Sequence, residues 1–514
     1  MNSKRSKFRI RRGISSVVMT LIFFFSAYAQ QITKGPYLMV PSDHKISIRF
    51  ETDAKADAKI IYGKKNRRNS LGSVRLRGIK EGFYLYEATL ENLHSCTTYN
   101  YQIKIKNISS ETHHFTTNCP KKETFSFAAM GDSRSNTQIF SKVIENVVKD
   151  KPDIIISMGD LVETGGDFKQ WNEFYFSVAK DLIDHVPLIS TLGDHERGGD
   201  NGVLFNHFMN QGNDPEKQWF SFDYANAHFI SLDFRYPESK EMIDWFIKDI
   251  SGSKAKWKFV YYHRPSYNFG GHRSMWGQEI WPELFHKYKV DIVFAGHSHI
   301  YERFLPVVDK NVKNSWPVTY ITTGGSGAGL YDVSKSDLLA VAESVNHYVD
   351  VKIDHDKLNL VAYRNNGSVL DQLEIVKKHQ KHTENYLNKA IDEDELRLES
   401  MFRKNISFTL DYIPFKKYAS PVDIEFSSPF DQDISFKLEL LDESAENYVM
   451  EPVSGVLKKH ESLALRINIY SKTEITVGGW GSIKPDLRLK LTYRYKGKEY
   501  VIYGGAANYW PDIY

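Results

Sequence analysis

The sequence predicts an α/β domain held between two all-β sandwich domains. Three observations carry that prediction. Up to about residue 120 the chain is a series of short strand-like runs separated by turn residues. From residue 121 to 376 apolar strand runs alternate with amphipathic helical segments. Beyond residue 404 the strand-like runs return. The 514 residues suffice for several domains with sizeable cores. A content of 41% hydrophobic and 25% charged residues is ordinary globular composition.

Residues 1–29 read as a secretory signal peptide. Lys4, Arg5, Lys7, Arg9, Arg11 and Arg12 precede an apolar stretch from Ile14 to Phe25, and Ala27-Tyr28-Ala29 supplies a small-x-small cleavage site. The apolar stretch is too short to span a bilayer as a helix, and no cysteine follows the cleavage site to carry a lipid. The expected localisation is secreted or periplasmic, with no transmembrane segment after cleavage. The segment holds six of the 67 Lys and Arg and none of the 64 Asp and Glu, so the remainder carries a net charge of −3. That balance excludes a basic footprint for nucleic acid or an anionic membrane.

Residues 30–120 are expected to form the first sandwich, with KISIRFET, AKIIYG, YLYEATLEN, TTYNYQIKI and THHFTT as its strands. The only cysteines, Cys96 and Cys119, flank the last two runs. A hairpin turning at residues 107–110 has a constant index sum near 215, which sets the two cysteines opposite each other within disulfide reach. Two free thiols are the alternative. Such sparse cysteine suits a large exported protein that does not rely on disulfides.

Residues 121–376 form the α/β region. Ile139, Val143, Ile144 and Val147 share one helical face, as do Met242, Trp245, Phe246 and Ile250. The region closes with HYVDVKID and KLNLVAYR. Residues 377–404, including IDEDELRLES, read as a charged linker helix with solvated charges. Residues 405–514 read as a second sandwich, with VDIEFSS, ISFKLELL, LALRINIY and LRLKLTYRY as strands and no catalytic cluster.

One pattern recurs five times in the α/β region. TFSFAAM ends in Gly131-Asp132, DIIISM in Gly159-Asp160, and PLISTL in Gly193-Asp194-His195-Glu196. KFVYY ends in His263 and DIVFA in Gly296-His297-Ser298-His299. Each apolar run is a short buried strand. Strand C-termini of open α/β sheets gather at one crevice, and glycine before the ligand lets the backbone turn sharply there. Three Asp and three His in such a crevice suit Zn, Mn or Fe better than Ca or Mg alone. Converging there without a metal, they would repel one another and desolvate poorly.

In this order GD, GDLxE, GDHE, HRPSY and GHSHIYER resemble the motifs of the calcineurin-like metallophosphoesterase superfamily, most nearly its purple acid phosphatase branch. ITKGPYL, IRFET, YEATLENL and TTYNYQI resemble the fibronectin-type-III-like domain that precedes the catalytic domain in that branch. The resemblance covers about residues 32–376. It implies a catalytic β-sandwich flanked by helices (αββα) and two divalent metal ions, Zn, Mn or Fe. It assigns Asp132 and His299 to the first ion, Asp194, His263 and His297 to the second, and Asp160 to both. It implies hydrolysis of a small phosphorylated substrate, a phosphate monoester, by metal-activated hydroxide. His195 would protonate the leaving oxygen, and His272 would face the substrate or be a plain loop residue. Glu196 would orient His195 or be solvated. His185, His207, His228 and His286 match no motif and read as structural or exposed.

Three departures accompany the match. Many superfamily members carry Asp-x-His at the first motif, where this chain has Asp132-Ser133-Arg134. The branch's Tyr ligand is replaced by Glu163, and its usual Asn by Asp194. Arg134 reads as a phosphate contact, because guanidinium matches phosphate oxygens bidentately, or as a surface salt bridge. Tyr267 and Tyr301 are the phenols nearest in sequence to the ligands. A phosphodiesterase or nucleotidase on the same site, and a surface binding protein with a weakened metal site, are the alternative functions.

Overall fold

Two seven-stranded sheets form the middle of the chain. The computed structural model describes residues 30–64, 70–106, 108–120, 122–211, 216–378, 381–405, 419–446, 448–472 and 488–505; the expected signal peptide lies outside them. In the first sheet Thr124–Met130, Ile154–Ser157 and Leu188–Ser190 run parallel, and His347–Asp354, Lys357–Arg364 and Val369–Lys378 continue it antiparallel. In the second, Ala227–Ser231, Trp257–Tyr262, Ile292–Ala295 and Thr319–Thr323 run parallel. Strands buried on both faces need no polar alternation, which is why IIIS and IVFA read as plain apolar runs and are buried throughout.

The inner faces interdigitate through aromatic side chains. Phe127 of the first sheet meets Phe259 at 5.0 Å, Phe229 at 5.2 Å and Phe294 at 6.0 Å of the second. Such edge-on rings fill the layer between two sheets at interior density. Helices cover the outside. Thr137–Asp150 is capped by Asn136 and buries Phe140, Val143, Ile144 and Val147. Lys240–Gly252 is capped by Ser239 and buries Met242, Phe246 and Ile250. The expected αββα sandwich is present.

The first sandwich contains a strand the sequence reading omitted, Ser70–Lys80, which pairs with both Ala58–Lys64 and Phe83–Leu90. The placement of this sandwich against the α/β region is fixed by polar bonds. Arg49 is tied to Glu87 at 2.8 Å and donates to the carbonyls of Phe208 (2.7 Å) and Asn210 (2.9 Å), and the Tyr37 hydroxyl donates to Phe208 (3.0 Å). The expected Cys96–Cys119 disulfide is formed, but not by the expected pairing. Thr98–Ile105 and His113–Thr116 pair with an index sum of 214. The cysteines therefore close just past the end of the ladder, where Cys96 takes a positive φ of 53°.

The linker reading is corrected. Residues 377–404 begin as the end of a strand, and the helix Glu393–Asn405 is not solvated on its charged side. Glu393, Asp394, Glu395, Glu399 and Arg403 are buried. His286 meets Glu393 at 3.0 Å, Ser336 and Arg403 both bond Glu399, and the Tyr500 hydroxyl donates to Glu395 at 2.6 Å. Leu396 belongs to the core of the α/β region, and Leu398 to the core of the C-terminal strands. Those strands form a three-stranded and a four-stranded sheet, the expected second sandwich.

Candidate metal centre

The six expected ligands converge, and they divide by chemistry. Asp132, Asp160 and Asp194 follow the three parallel strands of the first sheet, whereas His263, His297 and His299 follow two neighbouring strands of the second. Carboxylates thus face imidazoles across the open end of the sandwich. The ligand atoms of Asp194, His263 and His297 lie within 4.8 Å of one another, as do those of Asp132, Asp160 and His263. Among the described residues His299 joins neither group; its Nε2 is 3.5 Å from Asp132 Oδ1.

The backbone achieves this differently from the sequence expectation. The left-handed residues are mostly the ligands themselves, with φ of 58° at Asp132, 54° at Asp160 and 67° at His297, a sparsely populated region for non-glycine residues. Gly296 serves another purpose: a Cβ there would stand 2.5 Å from Asp132 Oδ2.

The second position fits a divalent cation. His263 Nδ1 donates to the Met158 carbonyl at 2.7 Å, which leaves Nε2 facing Asp160 Oδ1 at 3.4 Å and Asp194 Oδ2 at 3.2 Å. That Nε2 is buried and has no hydrogen-bond partner, the state expected of a lone pair meant for a metal. Burial opposes its protonation, but Asp160 and Asp194 push its pKa up to about 10, so a cation binding there displaces a proton. His297 Nδ1 lies 2.9 Å from Asp194.

The first position is different. His299 Nδ1 is 2.6 Å from the Gly329 carbonyl, leaving Nε2 as acceptor. Arg134 occupies the space beside it. Its Nη2 is 3.4 Å from His299 Nε2, its Nε 3.5 Å from Asp160 Oδ2, and its Nη1 donates to Glu163 at 2.8 Å. Arg134 thus makes the expected salt bridge, to the partly exposed Glu163, but with its own side chain only 13% exposed it also reaches into the centre. A cation at this position has to share Asp160 and His299 with a guanidinium.

His195 lies at the edge of the centre. Its Nδ1 is 2.6 Å from the Glu163 carbonyl, and its Nε2 points back into the centre, 3.9 Å from Asp160 Oδ2. His272 stacks on His297 with ring centroids 4.3 Å apart. Tyr267 and Tyr301 are turned away, bonded to Glu393 and Asp371. The ring beside His299 is that of Tyr331, stacked at 4.5 Å.

Glu196 neither orients the His195 ring nor meets solvent. Fully buried, it accepts the backbone N–H groups of Asp160 (2.8 Å), Leu161 (2.6 Å) and Gly193 (2.7 Å), tying two ligand loops together. Burial and the Asp160 charge push its pKa up to about 8. Three further supports escaped sequence reasoning. Arg264 grips Asp194 bidentately at 2.8–3.1 Å, offsetting the added anion. Glu302 accepts from Phe269 and Gly270, shaping the loop that carries His272. The glycine-rich stretch 324–329 donates to Gly131 and Asp132 carbonyls. For Arg264, Glu196 and Glu302 the available signal was position: each lies within three residues of a metal-ligand motif.

Residues 125–301 match the calcineurin-like phosphoesterase family, and the chain carries a metallophosphoesterase domain of that family. Its relatives are purple acid phosphatases and proteins named for related activities. It is 26% identical over 303 residues to a phosphoenolpyruvate phosphatase of Allium cepa, covering 51% of this chain and 62% of that one. It is 27% identical over 283 residues to the Fe(3+)-Zn(2+) purple acid phosphatase 12 of Arabidopsis thaliana (48% and 59%). It is also 25% identical over 326 residues to the probable inactive purple acid phosphatase 1 of Arabidopsis thaliana (52% and 53%). The matches thus span between about half and two thirds of these relatives' lengths. Purple acid phosphatase PPD1 from yellow lupin seeds shares the fold, with a TM-score of 0.59 at 20% identity over 67% of this chain and 74% of that one.

Proposed function

We propose that the chain is an exported, metal-dependent phosphatase that hydrolyses phosphate monoesters. One observation carries the reading: three carboxylates and three imidazoles from five separate strand ends meet at one crevice, with His195 and His272 beside them. Divalent cations held there, by Asp194, His263 and His297 on one side, Asp132 and His299 on the other, and Asp160 between, would supply an acidified water and a positive clamp on the phosphoryl group.

The remaining roles fall to the chain itself. The Glu163 carbonyl fixes the His195 ring through Nδ1, so Nε2 is the atom that delivers a proton to the leaving oxygen. Arg134 keeps a cation beside Asp160 and turns to phosphate oxygens when an anion enters. His272, stacked on His297, lines the approach. Zn, Mn or ferrous iron suits this donor set, with the first position the weaker. Export is supported by the disulfide and by the basic, apolar and small-residue order of residues 1–29.

A second reading, a binding protein with a weakened metal site, is favoured by the guanidinium at the first position. Elemental analysis beside a panel of phosphate mono- and diesters separates the readings. Metal with monoester turnover supports the phosphatase, diester preference moves the assignment to a phosphodiesterase or nucleotidase, and metal-free inactive protein favours the binding protein.

A further inference from the structure

A second set of metal-ligating side chains lies at the opposite end of the first sheet. Asp184 and His185 follow the helix Ser177–Ile183 and precede the strand Leu188–Ser190, whose far end leads to Asp194. His113 comes from the first sandwich, at the start of the strand His113–Thr116. The ligand atoms of His113, Asp184 and His185 lie within 4.8 Å of one another. The two oxygens of Asp184 are divided between the two rings: Oδ1 contacts His185 Nδ1, and Oδ2 lies 3.1 Å from His113 Nδ1.

His113 supplies the independent sign. It is 2% exposed, yet its Nδ1 has no hydrogen-bond partner. The approach to Asp184 is short but misaligned for a hydrogen bond, whose strength falls steeply off axis. A buried polar atom left so is costly. His185 Nδ1 is bonded to Asp184 Oδ1 while the buried His113 Nδ1 faces Asp184 Oδ2 without a hydrogen bond, so the three side chains converge with one nitrogen left over for a common ion. The surroundings brace the cluster. The Tyr101 hydroxyl donates to the Asp184 carbonyl at 2.8 Å, and the His114 ring stands 4.4 Å from that of His185. The Lys180 ammonium, 3.7 Å from Asp184 Oδ2, is the competing cation.

We infer that His113, Asp184 and His185 form a structural site for a borderline divalent cation of the zinc class, fastening the first sandwich to the catalytic body. Two imidazoles and a carboxylate are a donor set for zinc, with His114 or water available for the fourth position. The site is independent of the catalytic reading, because none of its residues belongs to the metal centre above.

The test uses full-length processed protein, stripped with chelator and titrated with Zn²⁺ alone, beside His185→Ala and His185→Gln. His185 is half-buried, so both variants are expected to fold. Each should bind one zinc equivalent fewer than the wild type and lose the part of the zinc-dependent rise in Tm that this equivalent supplies. Phosphatase activity at saturating metal should stay within about twofold. Glutamine keeps hydrogen-bonding capacity without imidazole ligation, so a purely hydrogen-bonded network would be preserved by His185→Gln and the zinc site would not. Unchanged zinc stoichiometry in both variants overturns the inference whatever the activity.

Discussion

Replacing Arg134 with Met should strengthen metal binding at the first position. The guanidinium lies 3.4 Å from His299 Nε2 and 3.5 Å from Asp160 Oδ2, two atoms that a cation there must use. At about 4 Å and an effective dielectric near 20, each product of unit charges is worth roughly 4 kcal/mol, so a divalent ion is opposed by several kcal/mol. Rotation of Arg134 towards solvent relieves much of this. If about 2 kcal/mol survives, the first-site Kd tightens by about 30-fold in the variant. Calorimetric titration of chelator-stripped protein with Mn²⁺ reads the effect, which falls on the weaker of two binding events. Activity should move the other way at saturating metal, because the phosphate contact is lost. Two tight equivalents in the wild type, with affinities the substitution leaves unchanged, would refute the argument.

His195→Ala should retain its metal and lose roughly 10²–10⁴-fold in rate, less on substrates with good leaving groups; loss of metal would show the role to be misassigned. His228 gives a pH signature in stability. Burial disfavours its charge, but Asp223 at 2.7 Å and Asp249 at 2.9 Å outweigh that and push its pKa up to about 9. The contribution is therefore complete below pH ~6.5, the unfolded value, and disappears as pH rises through about 9. His228→Gln should lower Tm at pH 6 and leave it nearly unchanged near pH 10; an equal loss at both would exclude the ion pairs. Breaking Cys96–Cys119, whose closed loop has a sequence separation of 23, should cost about 3 kcal/mol by loop entropy, measured in denaturant with Cys96→Ser/Cys119→Ser. The protein should be colourless or faintly coloured, since Glu163 replaces the tyrosinate. An intense visible band would contradict this and would point to Tyr331 rather than Tyr267 or Tyr301.

The convergence of the six candidate ligands was legible because each ends a short apolar run, a pattern local in sequence. The supports were less so. Glu196 looks like any charged residue after Asp194-His195, and only the folded loops reveal that it accepts three backbone N–H groups. Glu393 and Glu395 read as solvated because His286 and Tyr500 lie 107 and 105 residues away. Arg134 was ambiguous because its meaning depends on His299, 165 residues further on. The strand Ser70–Lys80 was missed because it alternates exposed apolar residues, Leu71, Leu76 and Ile79, with basic ones.

The split of carboxylates and imidazoles between two sheets makes the metal a rivet through a laminate. Each assigned position draws donors from both sheets, so the affinity of a bound ion would gauge how well the two layers are seated. Trimming Phe127, itself no ligand but packed against Phe229 and Phe259, would loosen the layers and weaken the grip without removing a donor atom. Conversely, loading the ion presses the layers together and stabilises the aromatic interior by linkage. On the proposed function, resistance to heat and turnover would then rise and fall together as the ion is loaded or removed.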